Sequence, residues 1–167
     1  ALKDGTQVGP VVDESQMTQD EKYIDIARRE GGELIWGGER LNRDTKGHYL
    51  SPTLFVNTKN NMRINQEEVF GPVASVIKVE SYDEALAVAN DTKFGLSSGI
   101  FTTSLKYATD FRKKSAAGMV MVNLATAGVD YHVPFGGRKG SSYGAREQGR
   151  HAADFYTAIK TAYTLAG

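Results

Sequence analysis

Apolar residues return every three or four positions in several stretches of the chain, which is the spacing of an amphipathic helix. A capping residue precedes three of these stretches, because a serine or aspartate side chain can accept hydrogen bonds from the first free backbone N–H groups. The predicted helices therefore begin after Asp13 or Ser15, after Ser81 and after Ser104. A further helix is predicted near Gln148–Tyr156.

Short apolar and β-branched runs lie between these helices and predict strands. The predicted strands cover residues 33–36, 53–56, 73–79, 98–101, 119–122 and 159–165. The run Val73–Val79 is expected to be buried, since it is almost continuously apolar. Strand, helix, strand, helix and strand follow each other in the middle of the chain. This order predicts an α/β fold with a parallel sheet, in which ligands collect at the carboxyl ends of the strands.

Composition narrows the class of protein. The chain has 167 residues, of which 40% are hydrophobic, enough for a folded core. Twenty basic and 20 acidic residues give a net charge of zero, so nucleic-acid and membrane partners are not expected. No apolar run reaches the roughly 18 residues of a membrane span, and we expect a cytoplasmic protein. Cysteine is absent, which removes a cysteine nucleophile and thiolate metal sites from these residues.

Several local patterns resemble functional motifs but have simpler interpretations. Ser97 lies in a Gly-x-Ser-x-Gly pattern, yet a helix is predicted before it and a strand after it, the reverse of a nucleophile elbow. The Gly-rich stretch 136–144 could hold an anion, but it fits neither phosphate-loop spacing, and a tight loop is favoured. The three histidines share no metal-ligand spacing, so no metal site is predicted.

The segment Gln66–Val73 is the most informative part of the sequence, because two carboxylates and an aromatic residue directly precede a predicted strand. One interpretation is a polar loop whose Phe70 is packed in the core. The other is a ligand clamp, in which Glu68 accepts hydrogen bonds from a ribose diol and Phe70 packs on a planar ring. Gly71-Pro72 would fix the backbone between them. Spacing alone favours the first interpretation.

With this segment, six motifs in order resemble the NAD(P)-dependent aldehyde dehydrogenase superfamily. They are Gly9-Pro-Val-Val-Asp-Glu-Ser-Gln16, Gly47-His-Tyr-Leu-Ser-Pro-Thr53, Glu67-Glu-Val-Phe-Gly-Pro-Val73, Asn90-Asp-Thr-Lys-Phe-Gly-Leu96, Gly118-Met-Val-Met-Val-Asn123 and Pro134-Phe-Gly-Gly-Arg-Lys-Gly-Ser141. The resemblance extends over nearly the whole chain.

The resemblance implies an incomplete doubly wound parallel sheet. Residues 1–156 would be the carboxyl-terminal part of the catalytic domain, and residues 157–167 would be a strand that bridges subunits of a homo-oligomer. In the family a cysteine attacks the aldehyde and a glutamate activates water. Both would precede this segment, so no catalytic residue is expected here, and the chain alone is expected to be inactive. A non-catalytic scaffold with this fold is the alternative.

Residue by residue, the resemblance assigns Glu68 to the nicotinamide ribose and Phe70 to the nicotinamide ring, with NAD or NADP as cofactor. Phe135 would line the tunnel of the aldehyde substrate, and Asp130 and His132 would influence substrate choice. Supporting roles are implied for Asn123, Arg138 and Lys139. The ending from Gly137 to Gly149 is similar to members that oxidise semialdehydes of sugar-acid breakdown, such as ketoglutaric semialdehyde.

Overall fold

The computed structural model describes residues 4–167, so Ala1, Leu2 and Lys3 of the predicted lead-in lie outside the described residues. The chain divides into two compact units, one ending at Glu80 and the other beginning at Ser81. In chain order the elements are α1 (Glu14–Arg29), β1 (Glu33–Trp36), β2 (Thr53–Val56), α2 (Arg63–Gln66), β3 (Val73–Ser75), α3 (Tyr82–Asn90), β4 (Ser97–Ile100), α4 (Leu105–Lys114), β5 (Met119–Val122) and α5 (Ala152–Tyr156). Short 3₁₀ turns cover Lys139–Ser141 and Gly149–His151.

Helix α1 begins and ends where its local sequence predicts. The Asp13 carboxylate accepts a 2.8 Å hydrogen bond from the backbone N–H of Gln16, which is the expected cap. Arg28 and Arg29 occupy the last turn, where they complement the partial negative charge of the helix end. The helix buries Met17, Ile24 and Ala27 in the core of the first unit.

The sheet of the first unit has three strands in the order β1-β2-β3. Strand β1 pairs with β2 antiparallel, and β2 pairs with β3 parallel with Thr53 opposite Val73. Phe55 at the centre of β2 is completely buried and belongs to the same core as the apolar face of α1. Val69, in the segment after α2, packs into this same core.

The expectation of a buried strand over Val73–Val79 is wrong in length and in burial. Strand β3 ends at Ser75, and its residues are half-buried or exposed in alternation. The physical reason is that a strand extends only as far as its partner does. Strand β2 ends at Val56. Past Ser75, Val76 still donates a 2.9 Å hydrogen bond to the Phe55 carbonyl and accepts one of 3.3 Å from Thr58 N–H, but no regular ladder continues along the run.

The second unit is a parallel pair of strands joined by a helix. Strands β4 and β5 run parallel in register, with Ser97 opposite Met119, and α4 connects them. The predicted caps are confirmed, since the Ser81 and Ser104 side chains accept hydrogen bonds from the backbone three residues ahead. The α/β class with parallel strands is therefore confirmed. Ser97 starts a strand, so the nucleophile-elbow interpretation is excluded.

The end of the chain has little secondary structure. The helix predicted near Gln148–Tyr156 appears as a 3₁₀ turn followed by α5. Residues 157–167 form no strand within the part of the chain that the structure describes, and all of them are exposed. A strand that pairs with a second copy would not form in one chain, so the bridging role remains a prediction. Within residues 4–167, no helix combines the length and apolar character needed to cross a bilayer.

Candidate cofactor and substrate site

Residues 67–72, which we call the acidic loop, connect α2 to β3. Val69 points into the core and is 9% exposed, whereas Phe70 is 79% exposed. The interpretation of Phe70 as a core residue is therefore wrong. Phe70 has a φ of +60°, in the left-handed region that a residue with a side chain rarely adopts. Such strain persists only where neighbouring contacts enforce it, and it is concentrated at ligand sites.

Helix α1 supplies the contacts that hold the acidic loop. The Nε2 atoms of Gln16 and Gln19 each donate a 3.0 Å hydrogen bond to the backbone carbonyl of Val69. Gln16 Nε2 also donates a 2.7 Å hydrogen bond to Oδ1 of Asp20, one helical turn further along. Two amides therefore fix the carbonyl that lies between Glu68 and Phe70 in the chain.

The two adjacent glutamates have different surroundings. Oε2 of Glu67 accepts a 2.7 Å hydrogen bond from the Tyr23 hydroxyl, and Arg63 donates to both carboxylate oxygens at 2.7 and 2.9 Å. The hydrogen bond to Glu67 raises the pKa of Tyr23. Glu68 is exposed and makes no hydrogen bond or ion pair within residues 4–167. Repulsion between neighbouring carboxylates is reduced because Arg63 neutralises one of them.

A shallow groove of about 390 Å³ lies beside Phe70. Its walls come from residues 7–12 on one side and from Gln16, Phe70, Gly71 and Pro72 on the other. The Gly9-Pro10 motif therefore lies next to the acidic loop in space, although about 60 residues separate them in the chain. The exposed ring of Phe70 and the groove next to it give a flat apolar surface on which a planar ring can pack.

In the second unit, Phe135 lies at the start of a tightly packed turn. Its backbone exchanges hydrogen bonds of 2.8 and 3.0 Å with Glu147, and its side chain is half-buried. A Cβ atom on Gly118 would lie 2.1 Å from the Gly136 carbonyl oxygen and 2.7 Å from Gly137 Cα, so the backbone after Phe135 packs directly on Gly118. Glycine is required there by space, and this approach fixes the position of Phe135.

The proposed substrate loop, residues 124–133, borders a cavity of about 440 Å³. Asp130 and the apolar residues Val129 and Val133 line it, together with residues of β5. His132 and Phe135 are not among the lining residues; His132 is exposed, with its ring edge-to-face against Tyr131 at 5.6 Å. Of the three predicted substrate residues, the structure therefore places only Asp130 at this cavity.

Two of the three residues expected to have supporting roles, Asn123 and Lys139, contact backbone groups through their side chains. The side chain of Asn123 binds both backbone groups of Thr102, accepting at 2.8 Å and donating at 3.0 Å. Lys139 Nζ donates to the carbonyls of Asn90 and Thr92 at 2.6 and 2.9 Å, at the end of α3. Lys139 thus closes a turn on backbone oxygens, which favours the tight-loop interpretation of the Gly-rich stretch.

The Gln16, Gln19 and Asp20 contacts were not predicted from the sequence. The sequence does indicate that Asp20 is unusual. It lies three residues after Met17 and four before Ile24, which places an acidic residue on the apolar face of α1. An acidic residue at such a position is buried, and a buried acid needs an explanation. Gln16 and Gln19 gave no signal, because their partner carbonyl is 53 and 50 residues away.

The sequence of residues 1–162 matches the model of the Aldehyde dehydrogenase family. The chain belongs to the aldehyde dehydrogenase family. It is 44% identical over 165 residues to the alpha-ketoglutaric semialdehyde dehydrogenase of Bacillus subtilis (strain 168), a match that covers 98% of this chain and 34% of that protein. It is 47% identical over 160 residues to the alpha-ketoglutarate semialdehyde dehydrogenase of Haloferax volcanii, covering 94% of this chain and 33% of that protein.

Solved aldehyde dehydrogenases share the fold of this family member. The NAD-dependent enzyme from Sinorhizobium meliloti superposes with a TM-score of 0.88 at 36% identity, covering 95% of this chain and 31% of that one. The indole-3-acetaldehyde dehydrogenase of P. syringae, solved with NAD+ and IAA, superposes with a TM-score of 0.85 at 40% identity, covering 93% and 31%. The chain therefore spans about one third of the length of the relatives that it matches.

Proposed function

We propose that these residues belong to an enzyme that oxidises an aldehyde to a carboxylic acid with NAD or NADP. The observation that carries the proposal is the pair Glu68 and Phe70, both exposed, on a loop that α1 holds in a strained conformation. An exposed carboxylate and an exposed ring two residues apart suit a ribose attached to a planar base. The NAD+ complexes of solved family members support this assignment.

In this proposal Glu68 accepts hydrogen bonds from the two hydroxyls of the nicotinamide ribose, as acidic residues do at other dinucleotide sites. Phe70 contacts the nicotinamide ring and limits its rotation. When bound, the cofactor accepts a hydride from the substrate carbon. The contribution of these side chains is alignment, which reduces the entropy that the reaction step has to overcome. Glu67 has no part in binding, since Arg63 and Tyr23 already engage its carboxylate.

The chemical step itself requires a nucleophile that the given residues do not contain, because cysteine is absent from all 167. We propose that a cysteine thiol and a glutamate base elsewhere in the enzyme carry out attack on the aldehyde and release of the acid. The segment described here then provides binding and orientation only. Accordingly, the isolated 167-residue chain is expected to produce no NADH from aldehyde and NAD+.

The proposed substrate is a semialdehyde of the ketoglutaric type, as the names of the similar enzymes from Bacillus subtilis and Haloferax volcanii suggest. Phe135 would contact the aldehyde, and Asp130 and His132 would set substrate preference from the 124–133 loop. The negative charge of Asp130 at the cavity disfavours a second anion close to it.

We also propose that residues 157–167 pair as a strand with another copy of the chain. Ile159, Tyr163 and Leu165 are each more than 95% exposed and alternate with Lys160 and Thr164, the pattern of a strand with one apolar face. Exposed apolar residues in a strand-like alternation are covered when a partner strand adds to them. A homo-oligomer is therefore the expected assembly.

Glu68→Gln tests the cofactor assignment, because it keeps the shape of the side chain and removes its charge. In the native protein that contains these residues, we expect the Kd for NAD+ to rise about tenfold, the effect of losing one or two charge-assisted hydrogen bonds. Glu80→Gln is the matched control, since Glu80 is an exposed glutamate of the same unit with 83% of its side chain accessible. Equal NAD+ affinity in both variants would contradict the role of Glu68.

Phe135→Ala tests the substrate assignment. We expect the KM for the aldehyde to rise, or the preference among aldehydes to change, while the Kd for NAD+ stays within about twofold of the unmodified enzyme. A variant that loses cofactor affinity and keeps its aldehyde KM would exclude the proposed role. If the native protein oxidises no aldehyde and contains no cysteine, the scaffold alternative is correct.

A further inference from the structure

An acidic side chain is completely buried directly beside the acidic loop. Asp20 has no exposed surface, and its Oδ2 atom has no hydrogen-bond partner within the described part of the chain. Burial raises the pKa of this carboxyl, against the opposing effect of its hydrogen bond from Gln16. A buried carboxyl with an unmet hydrogen bond is less favourable for folding than an apolar side chain of the same size. Its presence among Met17 and Ile24 therefore suggests a task other than stability.

The carboxyl group of Asp20 lies against the backbone of Gly71. A Cβ atom on Gly71 would come within 2.3 Å of Cγ, Oδ1 and Oδ2 of Asp20, a distance that no pair of such atoms adopts. The φ of Gly71 lies outside the left-handed region, so its backbone could accept an alanine. The three atoms nearest to such a Cβ all belong to Asp20, so the Asp20 carboxyl blocks an alanine at this position.

Asp20 also orients the amide that holds the loop. Gln16 Nε2 has two hydrogens; one goes to Asp20 Oδ1 at 2.7 Å and the other to the Val69 carbonyl at 3.0 Å. A carboxylate accepts only, so it favours the amide orientation in which the NH₂ group faces both oxygens. Asp20 therefore acts on both chain neighbours of Phe70. It packs directly on Gly71, and through Gln16 it holds the carbonyl of Val69.

We propose that Asp20 is a positioning residue that sets the placement of Glu68 and Phe70 by packing on Gly71 and by fixing Gln16 on the Val69 carbonyl. The functional part of this inference rests on the proposed cofactor role of Glu68 and Phe70. The placement of the acidic loop by Asp20 does not depend on that role and can be measured separately.

A double-mutant cycle between Asp20 and Gly71 tests the contact. In the native protein, Gly71→Ala is expected to raise the Kd for NAD+ at least about tenfold and to speed hydrogen exchange of amides 67–71, because its new methyl collides with the carboxyl. Asp20→Ala creates the space for that methyl. The double variant should therefore bind NAD+ within about threefold of Asp20→Ala alone.

Ile24→Ala combined with Gly71→Ala is the matched control. Ile24 is a buried neighbour on the same face of α1, and none of its atoms is among the three nearest to a Cβ on Gly71. Adding Gly71→Ala to Ile24→Ala should therefore still raise the Kd for NAD+ at least about tenfold, as it does in the unmodified protein. The inference is overturned if the added cost of Gly71→Ala falls equally in the Ile24→Ala and Asp20→Ala backgrounds, or falls in neither.

Two substitutions of Asp20 separate positioning from stability. Asp20→Asn keeps the shape and one acceptor oxygen, so NAD+ affinity should stay within about threefold. Asp20→Leu fills the space without an acceptor for Gln16, so the urea midpoint should be unchanged or higher while NAD+ affinity falls about tenfold. Affinity and midpoint falling together in Asp20→Leu would indicate a merely structural residue and would overturn the proposal.

The outcome for Glu68→Gln distinguishes the two proposals. One outcome is that Glu68→Gln weakens NAD+ binding while Gly71→Ala costs as much NAD+ affinity in the Asp20→Ala background as by itself. The cofactor site is then supported and the role of Asp20 is refuted. If Glu68→Gln has no effect but Asp20→Ala restores slow hydrogen exchange in Gly71→Ala, the placement of the loop is supported and the cofactor role is refuted.

Discussion

Replacing Glu67 and Glu68 by alanine, one at a time, removes the same side chain from neighbouring positions with different contacts. Glu67 accepts three hydrogen bonds from Arg63 and Tyr23, whereas Glu68 makes none within residues 4–167. The stability of the protein should therefore depend on the first glutamate and not on the second. The cofactor affinity should show the opposite dependence.

The magnitude follows from the exposure of each contact. The pair of Arg63 and Glu67 lies four residues apart on the surface, with 46% and 33% of the side chains accessible, so solvent screens it and it adds little to stability. The 2.7 Å hydrogen bond from the Tyr23 hydroxyl is part-buried and ends on a charged oxygen, worth about 1.5 kcal/mol. Glu67→Ala should thus lower the free energy of unfolding by about 1.5 kcal/mol, and Glu68→Ala by less than about 0.5 kcal/mol.

Urea unfolding followed by far-UV circular dichroism and by the fluorescence of Trp36, the single tryptophan among these 167 residues, measures both values. Tyr23→Phe in the Glu67→Ala background should cost little more, since the hydroxyl has already lost its partner. Equal loss of stability in the two glutamate variants would refute the assignment of separate roles. A larger loss in Glu68→Ala would do the same.

Two further predictions concern other parts of the chain. Arg40 donates hydrogen bonds to Glu14 and Glu21 and lowers the pKa of both carboxyls from their ordinary range. Their contribution to stability is therefore present above the ordinary pKa of glutamate and is lost as the pH falls through the lowered pKa. Arg40→Gln should show a weaker loss of stability in acid titrations, and an unchanged profile would exclude this network as its source. Gly118→Ala should lower the free energy of unfolding by about 2 kcal/mol or more, because its Cβ would lie 2.1 Å from the Gly136 carbonyl; an unaltered melting temperature would contradict that close approach.

The starts of α1, α3 and α4 are determined by local sequence. Asp13, Ser81 and Ser104 cap the helices that follow them, and each cap hydrogen bond joins residues only three apart. Such contacts join residues that are close in the chain, so the sequence is sufficient to locate them. Strand length is different, since β3 ends with its partner β2 and not with its own apolar run.

In the candidate site, too, local motifs could be recognised from the sequence, whereas contacts between distant residues could not. The acidic loop, with Glu68 and Phe70, could be recognised from the sequence because its motif is short and continuous. The sequence could not show that Phe70 is exposed, that Glu67 is engaged by Tyr23, or that Asp20 is buried against Gly71. Those facts depend on contacts between residues 44 to 53 positions apart, and only the packing of α1 beside the loop brings these residues together.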